Sequence, residues 1–570
     1  MNSCKKTNGI TLVALVITIV ILLILAGITL NSVTGENGLI SKAKDAKKET
    51  EIASIKEEIQ MDLIKKQKEE RNLTDEMIIE ILEKYGVLSE EEKLVDRTLK
   101  IKGNYEIKVA DVWNGTTINK PTENPPKEDE SEEPDNPRFT TVANKPDIKG
   151  FNKSNTYYVS WDLTSSPYAI NDNTLISGTA PDNWYDYTEG VNHWANIKTT
   201  GAGNDCYWVW IPRYAYKVPE KGTSAKTIEV KFLKDDTNTP IDKSDITISN
   251  NTTEGSWNVH PAFTNAGNGG LGELKGIWVA KYEASSSNVS VINLENGNFT
   301  GDTGSLDGAG GGTDTSLHVR VKPNVTSWRG INANGIFTVC KNLTTSGNSL
   351  ENTTNIDSHM MKNTEWGACA YLSSSIYGKT DINGTRKRIY NNPYYKDFTS
   401  KATITGLAGN NETLITSLTS NIYIYNTKEG IEASTTGNVY GIYDMSGGAW
   451  EYTASMYRDG TSDENISSLL DSNNSKYVDQ YTKTTGSQEN YFGNTDKYGD
   501  AIYETSKDGA SVEGAWNSNI SMYLNSSGPI FERGGHSTLG NYGGVFAYSY
   551  ANGKADNEKG FRPVVTKSTQ

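Results

Sequence analysis

Residue types that carry redox, metal or nucleophilic chemistry are sparse in this chain and poorly spaced for it. Of four cysteines, Cys4 lies at the extreme N-terminus, and Cys206, Cys340 and Cys369 form an odd set without metal-like spacing. At most one disulfide can form, so cysteines do not hold this fold together. Five histidines, His193, His260, His318, His359 and His536, are scattered without an HExxH or paired-ligand context. The run GDTGSLDGAGGGTD, from Gly301 to Asp314, is rich in glycine but lacks the lysine and following helix of a P-loop, so it reads as a loop. No GxSxG elbow supports a Ser-His-Asp arrangement. The residues suited to chemistry of a gentler kind, recognition, are concentrated at the C-terminus. HSTLGNYGGVFAYSYANGKADNEKGFRPVV, from His536 to Val565, sets short polar residues and tyrosines between glycines. Such residues build adaptable binding surfaces. The candidate ligand-binding set is His536, Ser537, Thr538, Leu539, Asn541, Tyr542, Tyr548, Tyr550, Asn552, Lys554, Asp556 and Asn557. Tyr542, Tyr548 and Tyr550 are its first anchors, because tyrosine brings large contact area at low entropy cost. The bland alternative makes the same residues loops over a core.

These residues need a scaffold, and the rest of the chain indicates one of several parts. Lys5 and Lys6 precede a 21-residue run without charge from Ile10 to Leu30, long enough to cross one hydrocarbon core as a helix. The flanking lysines predict a cytoplasmic N-terminus and an exported, extracellular C-terminal part, a single-pass cell-membrane location. Ile52, Ile55, Ile59 and Leu63 then recur at helical spacing, and Thr98 to Val112 changes to a period of two with Gly103-Asn104 at a hairpin turn. Residues 32–115 therefore read as a small α+β stalk, and 116–145, rich in proline and acid, as a disordered linker. Beyond it, strand-like runs such as YYVSWDL at Tyr157, CYWVWIPRYAYKV at Cys206 and GIWVAKYEA at Gly276 alternate with polar loops. Met361 to Gly378 is the best helix. Residues 146–270 read as a β-rich part of the ectodomain and 271–570 as a large domain with loop insertions, the whole being of α+β class. A net charge of −15, from 55 basic and 70 acidic residues, argues against a nucleic-acid partner.

Two resemblances add to this reading. Gly9 followed by Ile10, Thr11, Leu12 and Val13 resembles the start of type IV pilins, which implies cleavage by a prepilin peptidase between Gly9 and Ile10. Ala14 stands where such proteins carry a glutamate, which weakens the case for filament incorporation. GIYDMSGGAWEYT, from Gly441 to Thr453, resembles the signature of the formylglycine-generating-enzyme (sulfatase-modifying-factor) family, a variant of the C-type-lectin fold. GIWVAKYEAS at Gly276, TEWGACAYL at Thr364, FERGG at Phe531 and GFRPVV at Gly560 follow in the family's order. That family's oxidase chemistry uses two copper-binding cysteines in the interval His536 to Lys559, which here contains none, so no copper is expected and the fold is read as non-catalytic. The resemblance also implies a structural Ca²⁺ held by Asp444, Gly447, Ala449 and Glu451. The alternative is a hairpin corner in which Glu451 pairs with Arg533 or Arg562. The C-terminal stretch, with its GVF and GFR elements, is similar to the variable regions of retroelement-diversified lectin-fold proteins. WVWIPRYAYKV and HPAF (His260 to Phe263) resemble blocks of exported Gram-positive proteins that join a pilin-like start to such a domain. The function expected is that of a surface-displayed, adhesin-like protein binding an extracellular glycan or protein. The alternatives are a structural minor pilin among pilin-like partners and a modifying-factor-like enzyme with altered chemistry.

Overall fold

A computed structural model describes residues 75–89, 97–101 and 105–109, the single positions Ile55, Ile59 and Leu63, and residues 142–568 with short breaks. The longer breaks fall at 301–310, 394–402, 410–421, 458–463 and 483–490. The chain divides into two compact units, Met1–Glu133 and Pro134–Gln570.

In the first unit, α1 (Asp75–Glu83) is followed by the strands β1 (Gly86–Leu88), β2 (Thr98–Ile101) and β3 (Tyr105–Lys108). They form an antiparallel sheet in the order β1-β2-β3, with Leu88 opposite Leu99 and Leu99 opposite Ile107. The period-two pattern puts Leu99, Ile101, Ile107 and Val109 on one face, where they meet Ile78, Ile81 and Leu82 of the helix. Ile59 and Leu63, from the helical stripe, join this same core. The stripe thus finds its apolar partner inside its own unit.

The second unit is built on two sheets. Its main strands, in chain order, are β4 (Thr156–Asp162), β5 (Ala169–Leu175), β6 (Asn196–Gly201) and β7 (Asn204–Pro212), then β8 (Gly276–Ala280) and β9 (Ile356–Met360). There follow β10 (Trp450–Tyr452), β11 (Ala510–Ala515), β12 (Asn519–Met522) and β13 (Ile530–Gly534), and last β14 (Gly544–Ala551), β15 (Lys559–Phe561) and β16 (Pro563–Lys567). The seven-stranded sheet runs β9-β16-β8-β7-β6-β4-β5 and the six-stranded sheet β11-β12-β14-β13-β10-β15. β7 is covered on both faces, which is why its sequence is almost continuously apolar, with Trp208, Trp210 and Ile211 all buried. Trp210 lies opposite Trp278 of β8. The final strand β16 inserts between β8 and β9, and β8 pairs with β7, so residues 146–270 and 271–570 share one sheet and one core. Arg562 is the single residue between β15 and β16, the point where the chain leaves one sheet and enters the other.

Several expectations are corrected here. The α+β class gives way to a mostly β architecture, with 31% strand against 16% helix; tertiary burial of aromatic and β-branched runs outweighs the few helical segments. The best helix, α2 (Asn363–Ser373), is shorter than Met361 to Gly378 and ends at Ser374. All of its residues are buried, so no polar face marks its length in the sequence. No helix among the described residues is long and apolar enough to cross a membrane. The single-pass membrane anchor and the extracellular location that depended on it are therefore not supported. The run Ile10–Leu30, the Gly9–Ile10 junction and most of the 116–145 linker lie outside the described residues.

Candidate functional site

At the crossing between the sheets, GIYDMSGGAWEYT meets GFRPVV around one guanidinium. Arg562 Nη2 donates to Glu451 Oε1 at 2.7 Å and Nε to Oε2 at 3.1 Å, a two-point pairing with no solvent exposure. Two further hydrogens go to the carbonyls of Ala280 at 2.7 Å and Tyr443 at 2.9 Å. Asp444 adopts φ 63° and accepts from Asn392 Nδ2 and the Gly406 amide, both at 2.8 Å, and from the Glu283 amide at 3.2 Å. Glu283 Oε1 in turn accepts from the Ala449 amide at 2.8 Å. Burial raises all three carboxyls, while Arg562 pulls Asp444 and Glu451 back toward ionisation. Glu283 stands well above its usual range through burial and the adjacent charges of Asp444 and Glu451. Gly448 sits at φ +71°, and a Cβ there would lie 2.3 Å from Glu283 Oε1, so this corner admits only glycine.

This geometry does not fit the Ca²⁺ set Asp444, Gly447, Ala449 and Glu451. Both oxygens of Glu451 already hold a guanidinium, whose positive charge stands where the cation's would. Among the described residues no group of three or more His, Cys, Asp or Glu is arranged to hold a metal ion. The thiols Cys206, Cys340 and Cys369 are free and buried, and burial pushes Cys206 up to about 12, so it is a packing residue and not a nucleophile.

The C-terminal candidates divide into two places. β13 and β14 pair with Gly534 opposite Gly544 at one end and Ile530 opposite Ala551 at the other. Residues 535–543 therefore lie at one end of β14 and 552–554 at the other, roughly 25 Å away at the rise of a strand. At the first end, the turn passes through Gly534 and Gly535, at φ +85° and +76°, and its backbone is held from below. Arg388 Nη2 donates to the carbonyls of Asn541 at 3.0 Å and Gly543 at 2.5 Å, and Asn391 Nδ2 to that of Gly540 at 2.7 Å. Asn519 Nδ2 reaches Gly543 at 2.8 Å, and the Ser537 amide donates to Gly448 at 2.8 Å. The side chains of His536, Thr538, Leu539, Asn541 and Tyr542 remain half-exposed. Leu539 and Tyr542 lean on a small apolar cluster of Trp450, Ile520 and Ala547, and His536 stands edge-on to Trp450 at 6.3 Å.

Other members of the set are elsewhere. Tyr548 is fully buried, its hydroxyl 3.0 Å from Ser506 Oγ; strand alternation turns it with Phe546 into the core, which corrects its role as a surface anchor. Ser537 is buried as well. Tyr550 is 40% exposed and its ring covers Gly528, away from Tyr542. Asn552, Lys554, Asp556 and Asn557 are exposed on a segment tied by its carbonyls, with Tyr452 Oη donating to Lys554 at 2.9 Å and Arg329 Nη1 to Asn557 at 2.8 Å. Arg388, Asn391 and Asn519, which hold the first loop, escaped sequence reasoning. They lie 22 to 155 residues from the carbonyls they bind, and no local pattern marks them.

No protein-family model matches this chain, and no curated protein matches it.

Proposed function

We propose that this is a non-catalytic ligand-binding protein whose recognition surface is the loop 535–543 at the end of β14. The observation that carries this reading is the contrast within the loop: side chains of neighbouring segments hold its backbone, while five of its own side chains remain open to solvent. A loop ordered before binding loses little entropy when a partner docks. His536, Thr538, Leu539, Asn541 and Tyr542 combine an aromatic, an aliphatic and small polar groups, the mixture used by adaptable paratopes. The resemblance of the C-terminal stretch to the variable regions of lectin-fold proteins supports a glycan or protein ligand. The missing cysteine pair and the raised, buried thiols speak against oxidase chemistry.

The test is binding of the full-length chain to arrays of glycans and proteins, beside the double variant Leu539→Ala/Tyr542→Ala. A ligand whose affinity falls at least about tenfold, as expected for removal of an aromatic anchor, with an unchanged melting temperature, supports the reading. Ligands bound equally by both chains, or none at all, would remove it.

A further inference from the structure

Lys198, Lys341 and Lys559 each lie over an aromatic ring and also pair with a carboxylate, that of Asp172, Asp357 and Glu532 respectively. Lys221 is held differently. Its Nζ stands 3.6 Å from the ring centroid of Tyr503, 5.0 Å from that of Tyr491 and 5.7 Å from that of Phe492, and among the described residues it has no hydrogen bond and no ion pair. The rings themselves are firmly set. Tyr491 is buried and its hydroxyl donates toward the carbonyls of Tyr503 and Ser506, each at 3.1 Å. Its ring meets Phe492 edge-on at 5.4 Å and Tyr503 at 5.1 Å. Phe492, by contrast, is 52% exposed, a wall of the trio open to water.

Lys221 arrives on the connection between the paired strands Tyr214–Lys217 and Val230–Phe232. The amides of Val218 and Ile228 fix the two ends, donating to the carbonyls of Ser256 and Ser374 at 2.9 Å each, but no backbone amide of 219–227 has a backbone partner among the described residues. The connection is fastened by its ends and by Lys221, a contact that can open without unfolding the sheet.

We propose that the three rings form a cage for a quaternary ammonium group, with Lys221 as its resident and displaceable occupant. Lys221 shows which sign of charge the rings take, since aromatic faces attract a cation through their quadrupole. A primary ammonium fits them incompletely: its three N–H donors find no protein acceptor here and keep water. A quaternary ammonium has no N–H to leave unmatched and lays methyl groups against the ring faces. The net charge of −15 favours the approach of a cation. The cage shares no residue with the loop 535–543, and its ligand does not depend on the function assigned to that loop.

The experiment is ligand-observed NMR on the full-length chain with tetramethylammonium and choline, beside 3,3-dimethylbutan-1-ol, the neutral isostere of choline. At least one cation is expected to bind, more tightly than the neutral alcohol, and at least about twofold more tightly in Lys221→Ala, where the tethered competitor is gone. Tyr503→Leu, which keeps an apolar side chain and removes the aromatic face, should weaken binding about fivefold or more. Phe492→Ala, at a half-exposed position where truncation leaves folding intact, should weaken it about twofold or more, and Tyr542→Ala should leave it unchanged. No cation bound even by Lys221→Ala, an affinity in that variant no tighter than in the unsubstituted chain, equal binding of the neutral alcohol, or binding unmoved by Phe492→Ala overturns the proposal.

Discussion

Trp450 and Glu451 are neighbours on one strand and face opposite ways, and the two regions they enter use polar groups in opposite senses. Glu451 points to the crossing between the sheets, where Arg562 donates four hydrogen bonds and the surrounding carboxyls are buried with it. Trp450 points to the cluster beneath the loop 535–543, where Arg388, Asn391 and Asn519 hold the backbone while five of the loop's side chains stay half-exposed. The signature that reads as one motif therefore serves two ends. Its glutamate locks the architecture, and its tryptophan supports the loop proposed as the recognition surface. Burial decides the difference: a charge removed from water must be matched internally, whereas a half-exposed side chain keeps water as its partner until a ligand replaces it.

Arg562→Leu should break the comparison most severely. It leaves Glu451, Asp444 and Glu283 buried without a cation, a loss of about 3–5 kcal/mol, and circular dichroism should show the second unit largely unfolded; a native-like melt would show the crossing to be dispensable. A change of pH separates interior from edge at about half that cost. Burial holds the Glu504 carboxyl up at about 8 from a usual value of 4.5, so the folded chain keeps that proton where the unfolded chain has released it. Its stabilising effect is complete below about 4.5 and disappears as pH rises through 8. His260, held down at about 3 by burial, acts oppositely, but only below its usual 6.5. Between pH 6.5 and 8 stability should therefore fall by about 2 kcal/mol for this one proton. Thermal melts should show that slope flattened in Glu504→Gln, and an equal slope in the variant would assign it to other groups.

Arg388→Ala tests the edge. Loss of its carbonyl partners should lower stability by about 1–3 kcal/mol, and hydrogen exchange should speed up in residues 536–543 while amides of β16 stay protected. If both accelerate together, the loop and the crossing are one cooperative unit. The smallest effect belongs to Tyr542→Ala, expected to change stability by no more than about 0.5 kcal/mol while weakening the ligand of the loop. A larger drop in melting temperature would make Tyr542 a core residue.

Much of this was legible in local pattern. The pairing of Leu99 with Ile107 follows from a period of two, and CYWVWIPRYAYKV declared strands through its aromatic and β-branched run. The inward turn of Tyr548 was legible too, since the alternation of GVFAYSY puts it in phase with Phe546; Tyr550 shares that phase but lies near the end of the strand and stays 40% exposed. The pairing of Glu451 with an arginine was among the alternatives, but the choice of Arg562 over Arg533 was not. Arg533 lies opposite Glu451 in the ladder, yet its guanidinium turns to Asn363 and to the carbonyls of Asp500 and Ala501.

By itself the sequence determined the strand-forming runs and the glycine corners, and it gathered tyrosine, asparagine and small polar residues in the C-terminal stretch on which the proposed recognition role rests. Those features are local, set by side-chain period, by backbone freedom and by composition. Only the tertiary structure decided that Arg562 faces Glu451 and that the C-terminal candidates separate to opposite ends of β14. Each is a choice among partners far apart in the chain, settled by which pairing leaves the fewest buried charges and backbone groups unmatched.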